Sequence, residues 1–315
     1  MIQTEGLVKK FDNLTAVDDL NIHVEKGEIY GFLGPNGAGK TTTIMMLLGM
    51  ERPTSGKVKL FGKDLAESYF EIKQRIGVLS EFQFLYEDMT AKEYLQFFSE
   101  LYEVENPTRK IDEVLGRVAL SDRQNEVLGG YSKGMKQKLG MARALIHDPD
   151  VLILDEPQSS LDPYGIREIR DIIMEENAKG KTLFISSHIL SEIERTCHRV
   201  GIISGGKLLA EDDIAHLKQQ VTDEIEIVVE LEECTPSIVA GLEELDFISS
   251  VTNEGSRLVI KADTGEDHRS QISRVISHNG GVVLSMVAKE LSLEEAFVII
   301  TEQNLSLLTK EGQAS

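Results

Sequence analysis

One eight-residue segment constrains the fold of this chain more than any other. Residues 34–41 read Gly-Pro-Asn-Gly-Ala-Gly-Lys-Thr and match the phosphate-loop pattern G-x-x-x-x-G-K-[ST] over its full length. The apolar run at 29–33 predicts a buried strand before the loop, and 42–48 predicts a helix after it. This order places backbone N–H groups and a helix N-terminus around a phosphate. The segment therefore predicts an α/β fold that binds a nucleoside triphosphate.

Individual residues of the loop have distinct predicted roles. The Lys40 side chain is long enough to reach the β- and γ-phosphates, and the Thr41 hydroxyl is placed to bind Mg²⁺. The glycines let the backbone approach a phosphate closely. The residues predicted to contact the nucleotide in this segment are Asn36, Gly37, Ala38, Gly39, Lys40, Thr41 and Thr42.

Strands and helices alternate along the first two thirds of the chain. Short strands are predicted at 6–10 and 57–61, helical spacing at 64–128, 135–147 and 164–179, and buried strands at 151–154 and 182–186. The last two are continuous apolar runs, as is typical of parallel strands covered on both faces. The alternation predicts an α/β core with a mostly parallel sheet.

The pattern changes after about residue 218. Strands are predicted at 224–231, twice within 248–262 and at 282–284, and helices at 237–245, 267–278 and 292–303. The order β-α-β-β-α-β is that of a ferredoxin-like α+β module.

Charge and composition narrow the possible partners. The chain has a net charge of −20, and residues 211–315 hold 21 acidic against 7 basic side chains. Such a field repels phosphodiester backbones, so we expect no nucleic-acid partner. Two cysteines indicate a reducing compartment, and the sequence shows neither a signal peptide nor the roughly 18 to 20 consecutive apolar residues that span a bilayer. Any membrane spans must then come from another chain.

Further polar groups are predicted at the carboxyl ends of strands, where α/β sheets bind ligands. Asp155 and Glu156 end the strand at 151–154, and the pair suits Mg²⁺ binding and polarisation of an attacking water. His188 follows the next strand, in reach of a γ-phosphate. The segment 131–135, Tyr-Ser-Lys-Gly-Met, begins a helix and offers Ser132 and a glycine backbone for phosphate.

Together these motifs resemble the nucleotide-binding subunit of ATP-binding cassette (ABC) transporters over about residues 2–217. In this resemblance 34–42 is the Walker A loop, 131–135 the signature, 151–156 the Walker B strand, 160–162 the D-loop and His188 the switch histidine. The resemblance also places Phe11 against the adenine ring. The signature, the C-terminal module and 291–297 are similar to the ABC-2 export branch, in which a separate permease carries the membrane spans.

Some positions depart from the usual pattern of that family. The glutamine of the Q-loop aligns on Glu81, with Gln83 as the alternative because the register is open. Lys133 and Met135 replace the glycine and glutamine of the signature LSGGQ, whereas Ser132 and Gly134 are retained. Gln158 stands where threonine is common. None of these departures removes a core catalytic group.

The resemblance implies a P-loop NTPase cassette of α/β class, with a mostly parallel core sheet, an antiparallel β subdomain and a helical subdomain. A smaller ferredoxin-like α+β domain follows. The expected boundaries are 1–217 for the cassette, about 84–150 for its helical subdomain, 220–303 for the C-terminal domain and 304–315 for a tail.

The resemblance also implies hydrolysis of Mg-ATP between two subunits that meet head to tail. A homodimer is expected, with a heterodimer as the alternative. The implied catalytic residues are Lys40, Glu81, Glu156 and His188, the implied metal ligands Thr41, Asp155 and Glu81, and the further ATP contacts Phe11, Ser132, Gly134 and Asp162.

An aromatic-rich window at 82–102 is expected to bind the permease. We expect Phe82, Phe84 and Tyr86 at that interface and Phe97 and Phe98 in the core of the helical subdomain. The chain is then expected to be cytoplasmic, held at the inner membrane face through the permease. The alternative is a free-standing regulatory or non-transport ABC ATPase. The transported substrate cannot be read from this chain.

Overall fold

The computed structural model describes residues 1–222, 224–263, 266–289 and 291–311, and its backbone forms two compact units that divide after Ile214. The strands are β1 Ile2–Phe11, β2 Leu14–Val24, β3 Ile29–Leu33, β4 Ser55–Leu60, β5 Lys63–Asp64, β6 Ile76–Leu79, β7 Val151–Asp155, β8 Thr182–Ser187, β9 Arg199–Ser204, β10 Lys207–Asp213, β11 Glu224–Leu231, β12 Ile248–Asn253, β13 Arg257–Asp263 and β14 Val283–Lys289. The α-helices are α1 Lys40–Leu47, α2 Tyr69–Lys73, α3 Ala91–Leu101, α4 Pro107–Arg117, α5 Lys133–Leu145, α6 Pro163–Ala178, α7 Leu190–Thr196, α8 Ile214–Val221, α9 Pro236–Glu243, α10 Arg269–His278 and α11 Leu293–Glu311.

A six-stranded sheet forms the centre of the first unit, in the order β10-β9-β3-β8-β7-β6. Strands β9, β3, β8, β7 and β6 are parallel, and only the edge pair β9–β10 is antiparallel. The loops that follow β3, β7 and β8 therefore leave the sheet at one edge. The predicted, mostly parallel α/β core is confirmed.

Strand β6 corrects one sequence-based expectation. Helical spacing was predicted throughout 64–128, but Ile76–Leu79 form a strand that pairs in parallel with β7. Three of its four residues are buried. The run is too short for its periodicity to separate a buried strand from a helix, so the pairing with β7 decides its conformation.

A second, antiparallel sheet has the order β2-β1-β4-β5. Side chains of this sheet and of the central sheet share one buried hydrophobic cluster, which includes Leu20, Leu60 and Phe184. The rings of Phe32 and Phe184, on neighbouring strands of the central sheet, lie with their centroids 5.4 Å apart. The two sheets thus hold the loop after β3 on a rigid base.

The helical region between β6 and β7 contains α3, α4 and α5. Helix α3 begins with a complete capping box, in which the Thr90 and Glu93 side chains bond each other's backbone N–H groups. Helix α5 packs most heavily on β6 and also contacts α3, α4 and α6. It therefore connects the helical region to the central sheet.

The second unit contains an antiparallel sheet of order β12-β13-β11-β14, with α9 and α10 in the two connections. This is the predicted β-α-β-β-α-β arrangement, and it has its own hydrophobic cluster, which includes Ile227, Ile260 and Ile272. Helix α11 runs on to Glu311, through most of the segment 304–315 that was expected to be a tail. Residues 312–315 of that tail lie outside the described residues.

Candidate active site

The phosphate loop joins β3 to α1 and depends on glycine at its last turn. Gly39 has a φ of +109° and caps α1, and a Cβ atom there would lie 2.5 Å from the carbonyl oxygen of Ala16. Only glycine fits this position without displacing backbone. The Lys40 ammonium group donates to the carbonyl oxygens of Gly34 at 2.7 Å and Pro35 at 3.3 Å. Lys40 is thereby buried inside the curve of the loop.

The start of α1 offers backbone donors and exposed side chains. The first N–H groups of an α-helix have no acceptor within the helix, and the Gly39 cap supplies no side chain to bond them. Asn36, Gly37 and Thr41 are exposed, while Thr42 is half-buried and Ala38 is buried. The loop and helix start are therefore open to an anionic ligand on one side.

The carboxylates after β7 form the negative part of the site. Asp155 is 5% exposed and accepts a hydrogen bond from the Ser186 hydroxyl on neighbouring β8. Burial is the largest cause of the raised pKa of Asp155, and the negative charges of Glu156 and Glu81 also raise it. The Ser186 hydrogen bond and the positive charge of Lys40 act in the opposite direction. One lysine and three carboxylates thus converge at this edge of the sheet.

Such convergence suits a divalent cation. Oxygen ligands are what Mg²⁺ prefers, and clustered carboxylates in a buried site repel each other unless a cation offsets their charge. Burial is the first cause of the raised pKa of Asp155, and repulsion by Glu156 and Glu81 adds to it. Asp155, Glu81 and the exposed Thr41 hydroxyl therefore fit a magnesium ion.

The two alternatives for the Q-loop residue have different surroundings. Glu81 follows β6, is half-buried and acts on the charge of Asp155. The Gln83 amide instead donates to the Ser80 carbonyl and packs against α5, where a Cβ on Gly140 would lie 2.6 Å from the Gln83 carboxamide. The charge of Glu81 thus acts at the Asp155 carboxylate, whereas the Gln83 amide is bound to the backbone of its own loop.

Glu156 lies at the sharp turn that follows β7. It is 7% exposed and has a φ of +50°, which is uncommon for a residue with a side chain. Its Oε2 atom lies 2.7 Å from Nδ1 of His188 and accepts at 3.3 Å from the His188 backbone N–H. The structure thus brings the two predicted catalytic groups together, with the imidazole on the carboxylate.

The signature lies at the start of α5. The Ser132 hydroxyl caps this helix by accepting from the Met135 N–H at 3.2 Å, and Gly134 lies against the D-loop, where a Cβ would be 3.1 Å from the Ser160 carbonyl oxygen. Asp162 caps α6 by accepting from the Gly165 N–H at 2.8 Å.

The signature and the D-loop line one groove. Its lining residues are Ala119, Leu120, Arg123, Ser132, Lys133, Gly134, Met135, Lys138, Ser160, Leu161 and Asp162. Among the residues that the structure describes, this lining includes none from the phosphate loop.

Phe11 ends β1 and is 42% exposed. The Lys9 ammonium group lies 4.6 Å from the centroid of its ring, so one side of the ring faces a cation. A ring this exposed is available for stacking on a planar ligand.

Sequence reasoning missed the role of a buried glutamine on α5. Gln137 is 3% exposed, and its side-chain amide donates to the carbonyl oxygens of Glu156 at 3.0 Å and Pro157 at 3.3 Å. Gln158, noted only as a departure from threonine, donates to Glu192 on α7 at 3.2 Å. A polar residue at a helix position that faces the core was the available signal for Gln137.

A separate groove of the first unit is lined by aromatic side chains and cations. Its lining residues are Leu48, Met50, Lys73, Val78, Ser80, Phe82, Phe84, Phe98, Tyr102, Arg143, Ala144 and His147, among which there is no carboxylate in the described part of the chain. Phe84 is 92% exposed, Phe82 70% and Tyr86 55%. Phe98 is half-buried, but the expectation of a core position is wrong for Phe97, which is 42% exposed. Phe97 lies one position beyond the buried face of α3 and meets the exposed Tyr86 ring edge-on, with centroids 5.9 Å apart.

Known proteins of similar sequence align with this chain over most of its length. The model of the family described as ABC transporter matches residues 17–159. The bacitracin transport ATP-binding protein BcrA of Bacillus licheniformis is 40% identical over 299 residues, 95% of this chain and 96% of that protein. The Nod factor export ATP-binding protein I of Burkholderia pseudomallei (strain 1710b) is 38% identical over 212 residues, 67% of this chain and 70% of that protein.

Solved structures agree in fold. The structure of an ATP-binding subunit of an ABC transporter has a TM-score of 0.66 and 29% identity, covering 70% of this chain and 92% of its own. The dimeric post-hydrolysis state of an ATP-binding cassette bound to ADP and Pi has a TM-score of 0.64 at 21% identity, covering 68% of this chain and 98% of its own, and shows likeness of fold alone. With a relative matched over almost its entire length and the phosphate loop, carboxylates and signature in place, the chain belongs to the ATP-binding proteins of ABC transporters.

Proposed function

We propose that this chain hydrolyses Mg-ATP as a head-to-tail homodimer and uses the resulting opening and closing to drive export through a separate permease. One observation carries the proposal. The phosphate loop and the carboxylates share one edge of the central sheet, whereas the signature lines a different groove that includes no described residue of the loop. A second copy supplies the signature that each loop lacks.

The nucleotide half-site accounts for binding. The backbone of 36–42 and the Lys40 ammonium group hold the phosphates, and Phe11 stacks on the base. Thr41, Asp155 and Glu81 hold the magnesium ion, which offsets the phosphate charge when it is bound.

Catalysis in this site is positioning and electrostatics. Glu156 polarises the attacking water with the carboxylate that His188 contacts at 2.7 Å. Once a γ-phosphate is present, His188 turns from the carboxylate to the phosphate and leaves Glu156 for the water. Lys40 stabilises the negative charge that develops on the γ-phosphate oxygens.

The second copy completes the site. Its Ser132, Gly134 and Asp162 lie at helix starts or close beside one, where hydroxyl and N–H groups favour phosphate. One structural neighbour, a bacterial ABC transporter cassette, is described as dimeric, and its fold is like that of this chain. This likeness of fold supports the proposal of a dimer.

The aromatic groove is the surface proposed for the permease. No helix among the described residues is both long and apolar enough to cross a bilayer. An exposed aromatic groove suits an amphipathic helix. Lys73 and Arg143 give this groove local positive charge, whereas the net charge of the whole chain is −20. Relatives named for bacitracin transport and Nod factor export support export as the direction. The chain then works on the cytoplasmic face of the membrane, without nucleic acid.

The dimer is tested by Ser132→Ala in the full chain. We expect ATP affinity measured under non-hydrolysing conditions to stay within about twofold, while the ATPase rate at saturating ATP falls about tenfold, since one phosphate contact from the partner is lost. The rate of the wild-type chain per molecule should also rise with protein concentration. A rate independent of concentration, with Ser132→Ala fully active, would contradict the dimer.

The permease is tested by purifying the chain from detergent-solubilised membranes of its own host. We expect at least one integral membrane protein to be recovered in stoichiometric amount and to increase the ATPase rate. Full activity without such a partner would favour the free-standing ATPase instead.

A further inference from the structure

Glu156 is held in a conformation that its own side chain disfavours. A φ of +50° brings the Cβ of a non-glycine residue close to its own backbone, and such residues persist only where the surroundings determine them from several sides. On one side the Glu156 N–H donates to the carbonyl oxygen of Ser186 at 3.1 Å and to the Ser186 hydroxyl at 3.2 Å. These contacts from β8 fix the N–H of the residue, and its carbonyl oxygen accepts from the Ser159 N–H at 3.0 Å within the same turn.

A side chain from α5 bonds the same carbonyl and the one after it. Gln137 donates from Nε2 to the carbonyl oxygen of Glu156 at 3.0 Å and to that of Pro157 at 3.3 Å. Two consecutive carbonyls that face one donor define the direction of the turn. The Ser159 bond closes the turn at the Glu156 carbonyl, and of these two donors it is Gln137 that also reaches the Pro157 carbonyl. The Gln137 amide is buried, so loss of its N–H group leaves the two carbonyl oxygens without this donor.

We propose that Gln137 is a positioning residue that holds the catalytic carboxylate of Glu156 in place from the signature helix. Gln137 lies on α5, five residues after Ser132, which caps the same helix within the signature. The helix therefore joins the group that contacts the partner's nucleotide to the turn that carries Glu156 in its own site. This role rests on the proposed function, because it requires hydrolysis and a signature that engages a second copy.

The connection through α5 links the two nucleotide sites of the dimer. When a partner's ATP draws in the signature, α5 moves with it, and the Gln137 amide carries the displacement to the backbone of Glu156. Each site thus senses nucleotide at the other. Loss of the amide should uncouple the two sites and reduce the Hill coefficient for ATP towards one.

The experiment uses the full-length chain with Gln137→Met, which keeps the length of the side chain but removes its donor. We expect kcat to fall about tenfold or more while KM for ATP changes little, because the phosphate loop is not altered. The melting temperature should fall by only a few degrees, since the core volume is kept but a buried donor is lost. Gln137→Glu, which presents a carboxylate to the same carbonyls, should lose at least as much. The matched control is Gln96→Met, whose amide donates to Glu100 on its own helix; its kcat should equal that of the wild type.

A double-mutant cycle separates positioning from general support of the fold. In a Glu156→Gln background, single-turnover hydrolysis should fall less than twofold on adding Gln137→Met, because the carboxylate that Gln137 positions is already gone. A full tenfold loss in both backgrounds, or a Gln137→Met chain with wild-type kcat and Hill coefficient, would overturn the proposal. A wild-type chain without ATPase activity would instead overturn the proposed function.

Discussion

Two regions of the first unit differ in how far their side chains are buried: the edge of the central sheet and the aromatic groove. At the sheet edge Lys40, Asp155 and Glu156 are each less than a tenth exposed and each has a partner within the chain. In the groove Phe82 and Phe84 are more than two thirds exposed. The edge is organised before its ligand arrives, as sites for small ligands generally are. The groove leaves its apolar area for another surface to cover, as expected of an interface.

The largest effect expected at the sheet edge comes from Glu156→Gln. Removal of a general base costs about 10²–10⁴ in rate. We expect turnover to be abolished at that level while ATP still binds, so that a stable dimer accumulates with ATP and Mg²⁺. Steady-state ATPase assays and size-exclusion chromatography measure both. Glu175→Gln, an exposed carboxylate on α6, is the control and should behave as the wild type; normal turnover in Glu156→Gln would remove Glu156 from this role.

In the groove the corresponding change is Phe84→Ala. Because the ring is 92% exposed, the melting temperature should not change, but recovery of the membrane partner should fall about tenfold, as is typical when an aromatic anchor is truncated. The control is Phe70→Ala, an exposed ring of 82% on α2 that does not line the groove. Equal recovery of the partner with both variants would move the interface elsewhere.

His147 is a half-buried imidazole that lines the aromatic groove. It donates from Nε2 to the Ile76 carbonyl, stacks on Tyr102 at 3.9 Å between centroids, and buries its unprotonated Nδ1 without a partner among the described residues. Burial lowers its pKa to about 4 from 6.5. The folded state therefore binds fewer protons than the unfolded state between these values, and stability falls as the pH drops from about 6.5 to 4.

The test is His147→Phe, which keeps an aromatic ring against Tyr102 and cannot titrate. We expect the difference in unfolding free energy between pH 7 and pH 4 to be smaller in this variant by about 2–3 kcal/mol. Tyr102→Phe, which retains the imidazole, should keep the wild-type dependence on pH. Urea titrations at both pH values measure the effect; parallel curves for His147→Phe and wild type would show that His147 is not the group that titrates.

The smallest effect is expected for Glu81→Gln. An amide oxygen can still approach the metal, and loss of the Glu81 charge lowers the pKa of Asp155. We expect an ATPase rate within about threefold of the wild type, at saturating Mg-ATP. An inactive enzyme would mean that the carboxylate itself is required.

The sequence predicted the sheet edge well because that edge follows from local rules. A phosphate loop between an apolar strand and a helix has one arrangement, and carboxylates at the ends of parallel strands meet at the same edge. The module β-α-β-β-α-β was likewise readable from alternation and turns. The strand β6 was missed because three apolar side chains and a glycine carry too little periodicity.

The contacts between helices and turns were not readable. The buried positions of α3 are Ala91, Tyr94, Leu95 and Ser99. This spacing excludes Phe97 from the buried face, although its aromatic character alone had suggested the core. The bond from Gln137 to Glu156 depends on how α5 packs on the sheet, and no pattern within either segment encodes it.

The stiffness of helix α5 connects three distant parts of the first unit. It spans 13 residues, or about 20 Å, with Ser132 at its start, Gln137 near its middle and Arg143 towards its end in the aromatic groove. Because a helix of this length moves as a rigid body, a shift of the signature along the helix axis displaces Gln137 and Arg143 with it. A pull on the signature by nucleotide would then reach the catalytic turn and the occupant of the aromatic groove together.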